Sequence, residues 1–185
     1  MNRQKGIQMK KNWLPSICTL ANLSAGALSV LYTIQHQYKA ALLMVVVAAI
    51  FDVLDGFVAR LLRCTSDFGK QLDSLADLIS FGVAPTFLVL LSRLDDNQGV
   101  GAAAVVLFLI CGALRLARFN VSTTAVKGFI GMPITAAGII LSASTLLGEQ
   151  LGPITLVVIM GILSILMVSR VPFPKWQKST AGSDN

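Results

Sequence analysis

Charge is scarce in this sequence. Of 185 residues only 13% are Asp, Glu, Lys or Arg, whereas 55% are hydrophobic, and the mean hydropathy is +0.74. A water-soluble domain carries about a quarter charged residues. Roughly half that share cannot coat a water-facing surface, which excludes an ordinary soluble domain and, more firmly still, a disordered chain. Cysteine is almost missing too. Cys18, Cys64 and Cys111 are scattered, with no C-x-x-C pair, so neither a zinc site nor a disulfide framework is indicated, and they read as small packing residues. The single histidine, His36, reads as a surface residue. No internal repeat or low-complexity tract is present. The length suits one domain, so any chemistry falls to membrane helices and their short connections.

What the chain has instead is long apolar runs. Spanning a bilayer takes about 20 mostly apolar residues. Six segments qualify: 14–34, 40–60, 71–92, 99–118, 129–147 and 152–170. They must be helices, because backbone groups facing lipid have to bond within the segment. Their dense Leu, Ile, Val and Ala without strict alternation argues against a membrane barrel. The expected fold is an all-α membrane protein with six transmembrane helices. Residues 1–13 form a basic leader suited to the membrane interface, 14–174 the six-helix catalytic domain, and 175–185 a polar tail. The opening resembles a signal peptide, but its apolar part is long and lacks a cleavage site, so it reads as a retained first span.

The net charge of +6 is a topology signal before it is a partner signal, and no nucleic-acid partner is expected. Six spans place both termini on one side, together with Arg60, Arg63, Lys70, Arg115, Arg118, Lys127 and the terminal lysines and arginines. Only Lys39 and Arg93 fall on the other. This asymmetry predicts cytoplasmic termini in a multi-pass protein of the cell membrane. Five or seven spans would erase it.

Ionisable groups inside an apolar span are costly and usually functional. Asp52, Asp55, Asp67, Asp73 and Asp77 crowd into FDVLDGFVARLLRCTSDFGKQLDSLADLISFG. Asp52, Asp55, Gly56, Ala59 and Arg60 share one face of the second span, and Gly69, Asp73 and Asp77 one face of the third. A short connection makes these spans antiparallel neighbours. Four carboxylates facing each other in low dielectric need positive charge between them, and one arginine is too little. Aspartates are hard oxygen ligands suited to Mg²⁺ or Mn²⁺, and four can hold two ions, an arrangement suited to displacement at phosphorus. Gly56, Ala59 and Gly69 leave room for a bulky substrate, and Arg60 can partner a phosphate. Asp67 reads as a solvated charge beside Lys70. Intramembrane acids also serve ion or proton pathways, but these sit at one end of the bundle, with no comparable acids to relay an ion across.

The pattern D-x2-D-G-x2-A-R-x8-G-x3-D-x3-D over residues 52–77 resembles the signature of the CDP-alcohol phosphotransferase family, with no fixed position missing. The resemblance implies a six-helix fold, a homodimer and a site open to the cytoplasm. It implies that Asp52, Asp55 and Asp73 ligate one metal, that Asp52, Asp73 and Asp77 ligate a second, and that Asp77 accepts the proton. Gly56, Arg60 and Ser66 would contact the CDP moiety, with Ala59 and Gly69 giving space. Thr19 and Asn22, in PSICTLAN, would add nucleotide contacts, although family members often carry Pro-Asn where this chain has Pro15-Ser16.

Three further stretches, SFGVAP (80–85), RLARFN (115–120) and FIGMP (129–133), with the closing MVSRVPFP (167–174), are similar to the branch of that family that uses CDP-diacylglycerol and L-serine. Arg115 and Arg118, at i and i+3, could hold the serine carboxylate or merely anchor the helix at anionic headgroups. Ser80 and Asn120 are further serine-contact candidates. A sibling acceptor (glycerol phosphate or inositol phosphate) and an ether-linked lipid stay open at this point.

Overall fold

The computed structural model describes residues 2–62, 66–94, 98–121, 131–147 and 151–169. All regular structure among them is helical: α1 (Asn2–Ile34), α2 (Tyr38–Leu62), α3 (Asp67–Asp77), a π-helical turn (Leu78–Val83), α4 (Ala84–Arg93), α5 (Gln98–Val121), α6 (Ile134–Ser144) and α7 (Pro153–Val168). The C-terminal tail, Cys64, Lys127, residues 129–130 of the FIGMP stretch and residues 170–174 of the MVSRVPFP stretch lie outside the described residues.

Among the described residues, four stretches are long and apolar enough to cross a membrane: Ser16–Ile34, Tyr38–Leu61, the continuous rod Asp67–Arg93, and Gly99–Val121. They match the first four expected spans. The last two expected spans are shorter as helices. α6 has 11 residues, because Gly131 takes a positive φ and Pro133 stays extended as its N-cap, so winding starts only at Ile134. α7 has 16. The backbone of α1 runs unbroken from Asn2 through the basic leader into the first span.

Side-chain size decides how the helices meet. Lipid is as apolar as leucine, so close packing of small residues and interhelical hydrogen bonds replace the hydrophobic drive of a soluble core. α1 turns Thr19, Asn22, Ala25, Gly26, Ser29 and Thr33 inward, and α2 answers with Ala41, Val45 and Ala48. Ser29 Oγ donates to the Ala41 carbonyl at 2.8 Å. The opposite face of α2, with Leu43, Val46, Ile50, Val53 and Phe57, is exposed, as a lipid-facing stripe must be. Asp52 and Asp55 continue the inward face. Phe81, Leu88, Phe108, Ile134, Leu141 and Met160 fill the centre. Cys111 packs at the edge of this core.

The π-helical turn sits directly after Asp77. Pro85 has no N–H to return to the preceding turn, and the Ala84 N–H instead reaches the Ile79 carbonyl in the wider register. Two glycines accept the widened segment. A Cβ on Gly26 would come within 2.7 Å of Ser80 Cα, and one on Gly138 within 2.8 Å of Phe81 Cα. The turn is thus clamped between α1 and α6, and Asp77 is carried at its edge.

Candidate active site

α2 supplies Asp52 and Asp55 from its second half, and α3 supplies Asp73 and Asp77. The two helices bring these groups together as the spacing requires. Carboxylate oxygens of Asp52, Asp55 and Asp73 lie within 4.8 Å of one another. The Asp77 carboxyl adjoins that of Asp52. Asp55 and Asp77 are 7% and 8% exposed. Among the described residues none of the four is in an ion pair; the pair formed is Lys70 with Asp67, 3.6 Å apart, with Asp67 fully solvated as its sequence position indicated.

The groups that hold the carboxylates are neutral. Thr19 Oγ1 donates to Asp55 Oδ2 at 3.1 Å. Longer contacts of 3.5 Å run from Asn22 Nδ2 to Asp77 Oδ1 and from Thr135 Oγ1 to Asp52 Oδ2. Asp73 Oδ1 is buried without a hydrogen-bond partner. Neutral donors orient the carboxylates without cancelling their charge, and an orphaned, buried carboxylate oxygen is an expensive group to leave unmatched. A hard divalent cation fits this donor set: the oxygens converge, they are all carboxylate, and one awaits a partner. The N-terminus of α6 also reaches the cluster through Thr135, so its dipole adds positive potential there.

Several of the expected contact residues have partners within the protein. Thr19 and Asn22, read from the sequence as nucleotide contacts, are buried and direct their side chains to Asp55 and Asp77. They position carboxylates. Ser80, read as a serine contact, is fully buried and donates to the Asn22 backbone carbonyl at 3.0 Å, tying the π-helical turn to α1. Asn120 bonds Gln71 Oε1 at 3.2 Å and Ser74 Oγ at 3.0 Å, joining α5 to α3. Arg118 is exposed and donates to the Val168 carbonyl at 3.2 Å, at the end of α7. Arg115 differs from it. Its half-buried guanidinium lies 5.9 Å from the Phe119 ring centroid and within electrostatic reach of Asp77.

On the nucleotide side, Ser66 caps α3 by accepting from the Gly69 N–H at 3.0 Å. A Cβ on Gly69 would press to 3.1 Å from that hydroxyl. Gly56 lies under Arg60, whose Nη2 would sit 3.8 Å from an added Cβ. Ala59 is half-buried on the same face and Arg60 is exposed. Thr135 was not legible in the sequence: nothing about a threonine after Met-Pro-Ile marks it as a partner for an aspartate 83 positions earlier.

Comparison with known proteins agrees with this geometry. Residues 12–173 match the family model for CDP-alcohol phosphatidyltransferase. The chain is 37% identical over 170 residues to the CDP-diacylglycerol–serine O-phosphatidyltransferase of Bacillus subtilis, covering 92% of this chain and 94% of that protein. It is 40% identical over 173 residues to the enzyme of the same name from Helicobacter pylori strain J99, covering 89% and 73%. An archaetidylserine synthase from Methanothermobacter thermautotrophicus is 38% identical over 164 residues, covering 88% and 70%. A family match over most of the chain, and an acid cluster built from the residues of the 52–77 pattern, lead to one assignment: this chain belongs to the CDP-alcohol phosphatidyltransferase family.

Proposed function

We propose that this protein transfers the phosphatidyl group of CDP-diacylglycerol to L-serine, giving phosphatidylserine and CMP. The observation that carries the reading is the converging set of four aspartates, Asp55 and Asp77 buried among them, held by neutral donors and in no ion pair among the described residues, taken with relatives of similar sequence that share serine in their names. Those names differ in the lipid, diacyl or archaeal, and agree on the acceptor. This favours serine over glycerol phosphate or inositol phosphate.

Asp52, Asp55 and Asp73 would hold one divalent ion, and Asp52, Asp73 and Asp77 a second, with Mg²⁺ or Mn²⁺ as the matching cations. When bound, such ions neutralise the pyrophosphate and the charge on the departing CMP. The protein's residues do the rest. Gly56, Ala59 and Gly69 leave a smooth wall for the CDP moiety, and Arg60 and Ser66 border it. Arg115 binds the serine carboxylate, and its reach to Asp77 places the serine hydroxyl beside that carboxylate. Asp77 takes the hydroxyl proton as the serine oxygen bonds to the lipid-side phosphorus. The bond from that phosphorus to the CMP oxygen breaks, and CMP leaves with the electron pair. A general base with low intrinsic basicity works here because it acts as charge develops. No Ser, Cys or His in the 52–77 pattern is paired with a base, which favours direct displacement over a covalent intermediate.

The lipid enters sideways from the inner leaflet of the cell membrane, with the site facing the cytoplasm, where most of the basic residues collect. The protein works as a homodimer. The deciding experiment measures CMP release by purified protein across a panel of alcohols, with and without Mg²⁺ or Mn²⁺. Release with serine alone supports the reading, and release with another alcohol in place of serine replaces it.

A further inference from the structure

The end of the bundle away from the aspartates carries its own cavity. It is half open, has a volume of about 740 Å³ and is bordered by the α1–α2 turn, the last turn of α4 and the end of α6. Lys39 stands 13 residues before Asp52 on the same helix, which separates the cavity from the carboxylates by about 20 Å. Its lining includes His36, Lys39, Ser92, Arg93 and Thr145, with Leu42 and Leu146 as an apolar wall.

Three observations point to a ligand there. The first is charge. Lys39 and Arg93 are the two basic residues that the span pattern assigns to this end, and both line the cavity. Among its described lining residues there is no carboxylate. Two cations gathered at one hollow, on a face otherwise without basic residues, need a reason. The second is an orphan donor: Ser92 Oγ is buried with no hydrogen-bond partner. The third is rigidity. Tyr38 donates its only proton to the Leu91 carbonyl at 2.8 Å, so at 2.9 Å its oxygen must accept from His36 Nδ1–H. Arg93 Nη2 donates to the Thr145 carbonyl at 3.2 Å, which ties α4 to α6. A guanidinium has five donors, so its capacity exceeds that one bond.

We propose that this cavity binds a phosphate group through Lys39 and Arg93, with the buried, unpartnered Ser92 hydroxyl turning about its side-chain bond to join them. Phosphate oxygens match a set made of one ammonium, one guanidinium fork and one hydroxyl. The apolar wall suits a phosphate that carries an acyl chain, the headgroup of an anionic lipid in the outer leaflet. Free phosphate shares the polar half of this chemistry. The span pattern puts Asp95, Asp96 and Glu149 in connections at this same end, and they lie outside the described residues.

The test uses the full chain in detergent. Phosphatidylglycerol, phosphatidylcholine and inorganic phosphate are titrated separately, and binding is read by native mass spectrometry and by the shift in Tm. Phosphatidylglycerol should be retained over phosphatidylcholine. Lys39→Gln with Ser92→Ala, which leaves the Arg93–Thr145 tie intact, should weaken it at least tenfold with CMP release unchanged. Asp52→Asn should leave it unaltered, which separates this cavity from the catalytic lipid site. If inorganic phosphate binds equally well and responds to the same substitutions, the site stands with a soluble ligand. Equal binding of every probe by wild type and double variant, or no binding at all, overturns the proposal.

Discussion

Thr19 Oγ1 donates to Asp55 Oδ2 across 3.1 Å, so the first helix holds a carboxylate of the second. α1 brings no acid of its own to the cluster, yet it fixes two of the four carboxylates through Thr19 and Asn22. The donor matters because a ligand that must first be oriented binds its cation more weakly. Thr19→Val should keep the helix packing, lose a hydrogen bond of about 1 kcal/mol or more, and raise the Mg²⁺ concentration for half-maximal activity severalfold. A metal titration of CMP release checks this, and an unchanged midpoint would deny Thr19 its positioning role.

Asp77 is the proposed base. Asp77→Asn should lower kcat by about 100-fold or more while CDP-lipid still binds. Isothermal titration with the nucleotide lipid, beside turnover, separates the two effects. Near-normal kcat would remove Asp77 from proton transfer.

Chelation tests the cation. Exhaustive EDTA treatment should abolish CMP release, and added Mg²⁺ or Mn²⁺ should restore it. The same ions should raise Tm in the wild type and much less in Asp52→Asn, because Asp52 is proposed for both ligand sets. Turnover that survives chelation would sink the metal assignment.

Arg115 and Arg118 part company in the structure. Arg115→Ala should raise KM for serine more than for CDP-lipid, because its guanidinium is the one within reach of Asp77. Arg118→Ala removes a bond to the Val168 carbonyl and should act mainly on Tm. The reverse pattern would exchange their roles.

Gly26→Ala probes the clamp behind Asp77. The new methyl would enter the backbone of Ser80, so α1 and the π-helical turn must separate, at a cost of about 1–3 kcal/mol for overpacking. Tm should fall, and kcat should fall further than in Gly161→Ala, where a Cβ meets nothing within 4 Å.

The aspartate cluster was legible in the sequence because its information is local. Asp52 and Asp55 share a helical face by their spacing, Asp73 and Asp77 share another, and a short connection forces the two faces together. Burying charge in an apolar run is so unfavourable that the run itself announces a function. Asn120 and Ser80 show where that reasoning ended. Both stand in stretches that resemble a serine-using branch, but the hydrogen bonds they make depend on which helix lies opposite.

Sequence alone determined the membrane class, the helical state of its spans and the identity of the carboxylates, since hydropathy and helical periodicity are properties of neighbours along the chain. Tertiary structure decided who holds those carboxylates: Thr19, Asn22 and Thr135 come from helices distant in sequence. It also decided that the segment after Asp77 widens into a π-helical turn clamped by Gly26 and Gly138. A neutral donor leaves no periodic trace, because a hydroxyl becomes a ligand-positioning group only when packing sets it beside a charge.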